Sequence, residues 1–452
     1  MIVSNIAPPR FMEFFRDSPP EVNLDAIWSA HAALRGYYNP NEWVLPLPAW
    51  AMRPYDDSGE GVWATLQACL ESQAAATAND PMCIYIHVPF CTRKCGFCDS
   101  YSFHLKSHRV ERLDAYTDRV CAELELWSKQ GALSQRPVST VHLGGGTPAY
   151  LGERNLSRLV ECCRRLFNTN PATEWALETT VESLTSSMFT TLHALGFRRL
   201  HLGVQSMQDE VRTLIGRKRP ALEVIERVEA ARTLDWIVSV DLICGLPGQI
   251  LREYMAGIQS LMAAGVDGFS LYELLIRRQN YRWAEAQGLT ERSHVPNYWM
   301  FLAGAYWLEA HGFSKNLFNH WANTRDRNIY FTFPTRGEDL LAVGTIAYGV
   351  FGDYHYRHPR YADYVGLVSA TFPGLEGGLR RNMAERHFQP YLTGLLAAGG
   401  NGIFSETLPA QMSRWTACGL IHQNQTGGFS LTPSGSWFTG NMIHEARSGF
   451  ES

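Results

Sequence analysis

The chain is poor in lysine. Only Lys94, Lys106, Lys129, Lys218 and Lys315 occur among 40 basic residues. Arginine codons are richer in G and C, so this bias is read as genome composition without functional content. An excess of positive charge is also lacking: the formal net charge is −4. That excludes the broad basic surface of a typical nucleic-acid binder and leaves room only for a local patch. No apolar run reaches the roughly 18 residues of a membrane-spanning helix, so no membrane partner is expected. The first residues, MIVSNIAPPRFMEFFRDSPPE, lack a basic start followed by an apolar run. No secretory signal is expected, and the cytoplasm is the default compartment. Charged residues make up 19% of the chain and hydrophobic ones 45%. This excludes global disorder and supplies a sizeable core. No internal repeat or low-complexity tract is present.

There are ten cysteines. A chain of this size does not need disulfide staples, and a cytoplasmic protein would not keep them. Cys91, Cys95 and Cys98 lie close together. The other seven (Cys69, Cys83, Cys121, Cys162, Cys163, Cys244 and Cys418) read as small buried hydrophobes.

At roughly 100–200 residues per domain, the length allows two to four domains or one large barrel with appendages. Residues 1–80 show no repeating strand pattern and form an N-terminal extension. Within it Trp28, His31, Leu34 and Tyr37 suggest a short helix, and residues 73–80 the end of another. From residue 82, short β-rich apolar runs (83–88, 138–143, 175–179, 200–204, 237–242, 268–271) alternate with helical patterns (110–130, 155–167, 186–195, 220–234, 251–264). The last pattern puts Leu251, Tyr254, Met255, Ile258, Leu261 and Met262 on one face. Strand–helix alternation implies parallel pairing with right-handed crossovers. Six such units predict an open, partial (β/α)6 TIM-like barrel over residues 81–290, active at the C-terminal ends of its strands. Residues 291–370, with an aromatic helix over 297–311 and a glycine-rich apolar run over 337–352, complete the barrel or serve the substrate. Residues 371–452 form a small α+β accessory domain ending in a hairpin within LIHQNQTGGFSLTPSG.

The text IYIHVPFCTRKCGFCDSYSF carries C-x3-C-x2-C directly after the first predicted strand. Three thiolates on one loop can hold three irons of a 4Fe–4S cube. The fourth iron is then open to a small chelating molecule, such as the amino and carboxylate groups of a methionine. Simple electron transfer normally uses four protein ligands. The competing reading is zinc, with His87 or His104 completing the set.

These residues resemble the radical S-adenosylmethionine (SAM) superfamily. The flanks YIHVPFC and CDSYSF resemble its branch containing oxygen-independent coproporphyrinogen oxidase. The resemblance is firm over residues 82–290 and loose elsewhere. It implies a 4Fe–4S cluster on Cys91, Cys95 and Cys98, with Tyr85 against the cluster and Phe97 near the adenine of SAM. It assigns Gly145, Gly146 and Thr147 of the GGGTP run to the SAM amino group and Glu178 to SAM, with Glu182 as an alternative. It assigns Gln205 to the ribose and Arg217 to the carboxylate, which a guanidinium can grip in two places; Asp241, at the end of the fifth strand, offers a carboxylate that can accept ribose hydroxyl protons. The run is not a phosphate loop, because the G-x4-GK[ST] spacing is absent. The chemistry implied is one-electron cleavage of SAM to methionine and a 5′-deoxyadenosyl radical, fed by an external reductant such as flavodoxin or ferredoxin. One departure follows Glu178, where Thr179, Thr180 and Val181 replace the usual Asn or Asp and Pro.

Within the branch, Ser100 stands where decarboxylating members carry a further cysteine. The run from Lys315 to Trp321 stands where haem chaperones carry HN-x-x-YW. The runs NTRDRNIY (323–330) and VGTIAYG (343–349) resemble segments of haem-opening methyltransferases. The resemblance is closest to class C radical SAM methyltransferases and cyclopropanases. These are thought to bind two SAM molecules and to add methyl-derived carbon to an sp2 centre of an aromatic or conjugated natural-product intermediate. Tyr272 and Glu273, ending the sixth strand, are the expected catalytic contacts to the second SAM or the substrate. Arg325, Asn328 and Tyr330 are further candidates, with a capped surface loop as the competing reading. The aromatic residues 298–307 read as core packing. The alternatives are a haem-opening methyltransferase of anaerobic haem degradation, a haem chaperone, or a coproporphyrinogen dehydrogenase-like protein.

Overall fold

The computed structural model describes residues 8–106, 109–366, 371–448 and 450. The first seven residues of the N-terminal stretch discussed above lie outside them. The six predicted strands are present as β1 (Met82–Val88), β2 (Val138–Gly145), β3 (Glu174–Thr179), β4 (Arg199–Gln205), β5 (Ile237–Cys244) and β6 (Gly268–Glu273). They pair in parallel, in sequence order. Most positions of β1 are buried on both faces, as expected where helices cover a parallel sheet. Helices Arg109–Ser128, Glu153–Leu166, Ser186–Ala194, Ala221–Thr233 and Leu251–Ala263 make the crossovers. The fold is the expected α/β partial TIM-like barrel.

The sheet extends beyond the six strands. Leu340–Val343 adds a seventh parallel strand against β1. His320–Ala322 and then Ser314–Leu317 extend the β6 edge in antiparallel fashion. Past Leu340–Val343 follow Tyr348–Phe351, Tyr354–Arg357, Gly377–Arg380 and the two-residue strand Asp57–Ser58, giving thirteen strands among the described residues. The N-terminal residues thus contribute a strand and pack on the second half of the chain. Phe11 meets Trp28 and Trp299 edge-on, with centroids 5.2 Å apart in each pair. At the C-terminus, Ile421–Gln423 and Phe429–Leu431 form the expected hairpin, joined by Gly399–Gly400. No helix among the described residues is long and apolar enough to cross a membrane.

The segment 323–331 turns under the barrel and enters it. The Asp326 carboxylate is buried at the N-terminal ends of the strands. It accepts hydrogen bonds from Arg199 (2.6 Å), the Ser239 hydroxyl (2.7 Å) and His320 Nε2 (2.7 Å). Burial opposes its charge, but Arg199 and His320 hold its pKa well below the usual carboxylate range. Asn328, in the left-handed region (φ 47°), opens the helix Ile329–Arg336, which sends Tyr330 and Phe331 upward between the strands.

Lys315 is buried at the β6-side edge of the sheet, where its Nζ donates to the Ala397 carbonyl at 2.6 Å. Burial pulls its pKa down to about 7, against the opposing effect of Glu309. The folded chain therefore releases this proton at lower pH than the unfolded chain, whose lysine titrates near 10.5. Stability should rise between these two values, by up to ~1.4 kcal/mol per pH unit. Urea unfolding of the wild type from pH 7 to 10 should show the rise, and Lys315→Met should flatten it.

Candidate active site

The cluster loop leaves β1 and folds back on itself. The Cys91 N–H donates to the Phe103 carbonyl (3.1 Å) and the Phe103 N–H to the Pro89 carbonyl (2.9 Å). The middle of the loop is tied to neighbouring segments. The Gly96 N–H donates to the Ile215 carbonyl (3.3 Å), and the buried Asn280 amide donates to the Phe97 carbonyl (2.7 Å). Lys94 donates to the Ser100 carbonyl and lies 3.5 Å from Cys98 Sγ. All three cysteines are half-buried and line a cavity of about 870 Å³ at the C-terminal mouth of the barrel. No three His, Cys, Asp or Glu side chains among the described residues gather as closely as a single-ion site requires. His87 sits beneath Gly145 and bonds Tyr85. His104 lines the cavity, with its Nδ1 3.4 Å from the Cys91 carbonyl oxygen. Burial pushes the Cys95 thiol up, and nearby Arg217 acts the other way.

The GGGTP run forms the wall facing the cysteines. Gly145 has φ +107°, and a Cβ there would fall 2.5 Å from the His87 ring. A Cβ on Gly146 would fall 2.6 Å from the Phe90 carbonyl oxygen and 3.1 Å from Cys91 Sγ. Only glycine lets this backbone approach both the loop and a ligand. Thr147 places its hydroxyl 3.6 Å from Cys91 Sγ.

Glu178, ending β3, accepts the Gly145 N–H at 3.0 Å and His142 Nε2 at 2.9 Å. Burial would raise its pKa, but these bonds and the nearby imidazoles hold it down to about 2. It is an anion at the cavity wall. Asp241 on β5 accepts from His201 Nε2 at 2.7 Å. Gln205 closes β4 at φ +70°, beside a register shift between Gly203 and Gln205. Such bulges re-aim side chains next to active sites. The Arg217 side chain is 9% exposed and stands 3.8 Å from Glu182. Its guanidinium lies 5.8 Å from the Phe97 ring centroid. Its buried Nε has no hydrogen-bond partner, which leaves a cationic donor for an incoming carboxylate.

Cys91, Cys95, Phe97, Cys98, Gly145, Gly146, Thr147, Glu178, Gln205, Arg217 and Asp241 therefore surround one cavity, as does Glu182. Three expected residues stand elsewhere. Tyr85 is not among the cavity-lining residues. Its ring stacks on Tyr330 at 5.0 Å inside the barrel, and its hydroxyl meets His87 Nδ1 at 3.0 Å. Tyr272 packs into a small apolar cluster with Phe97, Ile276 and Trp283, built on Val211, Ile215 and Leu274. Glu273 points out through the barrel wall, because neighbouring residues of a strand face opposite ways. Its carboxylate is 1% exposed and accepts from Asn297 (2.8 Å) and His294. The expectation that Tyr272 and Glu273 share the mouth is thus corrected for Glu273. Arg325 pairs with Asp235 at the surface, as the loop reading expects, whereas Tyr330 is internal. His142 and His201 were not anticipated. Their signal was a polar residue at an inward position of an otherwise apolar strand.

The radical SAM superfamily profile matches residues 85–260, which contain every cavity-lining residue named above. Residues 85–260 form a radical SAM domain. The chain is similar to members of the branch of oxygen-independent coproporphyrinogen oxidase. It is 27% identical over 274 residues to the haem chaperone HemW of Bacillus subtilis, covering 59% of this chain and 70% of that protein. It is 27% identical over 281 residues to anaerobilin synthase of Escherichia coli, covering 61% and 62%. It is 30% identical over 193 residues to oxygen-independent coproporphyrinogen III oxidase of Salmonella typhimurium, covering 42% and 41%. The chain thus spans under two thirds of the last two. Coproporphyrinogen III oxidase of Escherichia coli shares the fold, with a TM-score of 0.75 over 93% of this chain and 98% of that one, at 20% identity.

The family implies a 4Fe–4S cluster and SAM, and the residues fit both. Three thiols share one loop, glycines admit close backbone approach, and a partnerless guanidinium Nε waits beside them. Cys95→Ala should abolish the brown chromophore of anaerobically reconstituted protein and its reductive SAM cleavage; deoxyadenosine from that variant would remove Cys95 from the ligand set. Glu273→Gln should keep cluster content and SAM cleavage within about threefold of wild type, while melting a few degrees lower through a weakened buried hydrogen bond. A selective loss of SAM cleavage with unchanged melting would return Glu273 to the site.

Proposed function

We propose that the protein cleaves SAM reductively and transfers a methyl-derived carbon from a second SAM to a trigonal carbon of a tetrapyrrole, opening or modifying the ring. The observation that carries this is the course of residues 323–331. Residues 323–330 resemble a segment of haem-opening methyltransferases, and although Arg325 lies at the surface, the run is anchored inside the barrel at Asp326 and Tyr330. Asp326 pins it to Arg199, Ser239 and His320, and Tyr330 stacks on His142, which holds Glu178. A segment built into the support of the SAM site belongs to the chemistry of that site. The names of the relatives (haem chaperone, anaerobilin synthase, coproporphyrinogen III oxidase) all point to tetrapyrroles. Ser100, exposed in the cluster loop, argues against porphyrinogen decarboxylation.

When bound, the cluster supplies the single electron that opens the sulfonium carbon–sulfur bond. Cys91, Cys95 and Cys98 would hold three irons. Arg217 would grip the SAM carboxylate, Gly145, Gly146, Thr147 and Glu178 would take the amino group, and Gln205 and Asp241 the ribose. Tyr330 and Phe331 close the barrel beneath them and keep bulk water from the reacting end. An acidic one-electron donor such as flavodoxin or ferredoxin would supply the reductant.

A second reading keeps the methylating chemistry but gives it another conjugated acceptor, by methylation or cyclopropanation, since the 323–330 segment also suits the wider methylating subgroup. Anaerobic incubation with methyl-deuterated SAM, reductant and haem separates the outcomes. Deuterated 5′-deoxyadenosine, S-adenosylhomocysteine and a methylated tetrapyrrole are expected. Deuterium in deoxyadenosine with haem untouched would favour the second reading. Haem binding without SAM consumption would indicate a carrier and overturn both.

A further inference from the structure

We propose that His142 and His201 are positioning residues for SAM. Each fixes one ligand-facing carboxylate from beneath, and the inserted pair Tyr330 and Phe331 braces both imidazoles. The inference rests on the reading of the cavity as a SAM site and adds to it the means by which Glu178 and Asp241 are aimed.

The same device occurs twice. His142 on β2 reaches Glu178 on β3 through Nε2 at 2.9 Å. His201 on β4 reaches Asp241 on β5 through Nε2 at 2.7 Å. In each case the imidazole lies one level deeper than the carboxylate on the next strand: His142 is level with Ala176, and His201 is level with Ser239. The imidazoles are 1% and 6% exposed, whereas the two carboxylate side chains keep 25% and 22% exposure; both carboxylates line the cavity, where His201 also shows an edge and His142 does not. Both Nδ1 atoms are buried without a partner. In each pair Nε2 donates to the carboxylate and Nδ1 makes no competing bond.

One dipeptide touches both devices. The Tyr330 ring stacks on His142 with centroids 4.2 Å apart and planes 19° apart. Phe331 lies 6.0 Å from His142 and 6.3 Å from His201. A carboxylate at a strand end has several rotamers, and fixing one before the ligand arrives removes an ordering cost from binding. A hydrogen bond to a charged group is strong enough to do this.

The two carboxylates serve opposite ends of SAM, so the histidines should be separable by ligand. 5′-Methylthioadenosine keeps adenine and ribose but lacks the amino-acid arm. Dissociation constants for SAM and for 5′-methylthioadenosine are measured on anaerobically reconstituted full-length protein, alongside cluster absorbance and melting temperature. His142→Leu should weaken SAM about 10- to 30-fold and leave 5′-methylthioadenosine unchanged. His201→Leu should weaken both ligands about tenfold. His142→Gln and His201→Gln restore an N–H donor and should return binding to within about threefold of wild type. Unchanged binding in the leucine variants would overturn the proposal. So would equal losses in leucine and glutamine variants that track cluster content or melting, because those mark a merely structural role. If the leucine variants do not fold, Tyr330→Leu decides. It leaves the hydrogen bond in place but removes the brace, so weaker SAM with unchanged 5′-methylthioadenosine supports the proposal and unchanged SAM overturns it. Wild-type protein that takes up a cluster but binds no SAM would overturn the cavity reading as well.

Discussion

A single buried carboxylate ties the two halves of the chain together. Asp326 comes from a segment beyond the six-unit barrel, yet its partners Arg199 and Ser239 lie at the starts of β4 and β5. With side-chain exposures of 2% for Arg199 and 0% for Asp326, neither charge can be left alone. Removing one partner from such a pair is far more costly than the pair's net contribution to stability. The pair therefore acts mainly as a register device. It fixes where the chain re-enters the barrel, and hence where Tyr330 and Phe331 stand four and five residues later. Those rings reach His142 and His201, and through them the two carboxylates at the mouth. A constraint at the floor thus becomes geometry at the site.

Much of the barrel could be read from local pattern. Strands buried on both faces are continuous apolar runs, and their crossover helices carry a 3.6-residue period, so both signals lie within a short window. The outer strands carried no such signal. Leu340–Val343 and Tyr348–Phe351 are four residues each, shorter than the pattern needed to distinguish a strand from a glycine-rich turn. Asp57–Ser58 exists only because it pairs with Gly377–Gly378, more than 300 positions away. Pairing at that separation leaves no trace in composition.

The site divides along the same line. The cysteine loop, the GGGTP run and the residues ending β3, β4 and β5 were legible because each is a local motif at a strand end. Glu273 was misplaced although its own strand contained the answer. Tyr272 and Glu273 are adjacent, and a strand's period of two sends them to opposite faces. Only one could face the barrel interior, and the contact of Ser270, on the same strand, with His320 shows it is the even-numbered set. The histidine–carboxylate pairs were not legible at all. Their members are 36 and 40 residues apart, and only the barrel's stagger brings them within bonding distance.

The backbone of the cluster loop is fixed by contacts that do not involve its thiols. Three thiols on one short, glycine-containing loop have little reason to share a cavity unless the backbone is held. Here it is held at three places: by Phe103 behind Cys91, by Ile215 at Gly96 and by Asn280 at Phe97. Ile215 belongs to the small apolar cluster that contains Phe97, Tyr272 and Trp283 and is separate from the main core. The loop is thereby coupled to residues 274–290, which follow β6 and flank the same mouth. Tyr272 acquires a role in this arrangement that needs no contact with SAM. It packs against the same small cluster as Phe97, whose ring lies 5.8 Å from the Arg217 guanidinium, so the packing of the cluster loop and the placement of Arg217 share one set of side chains.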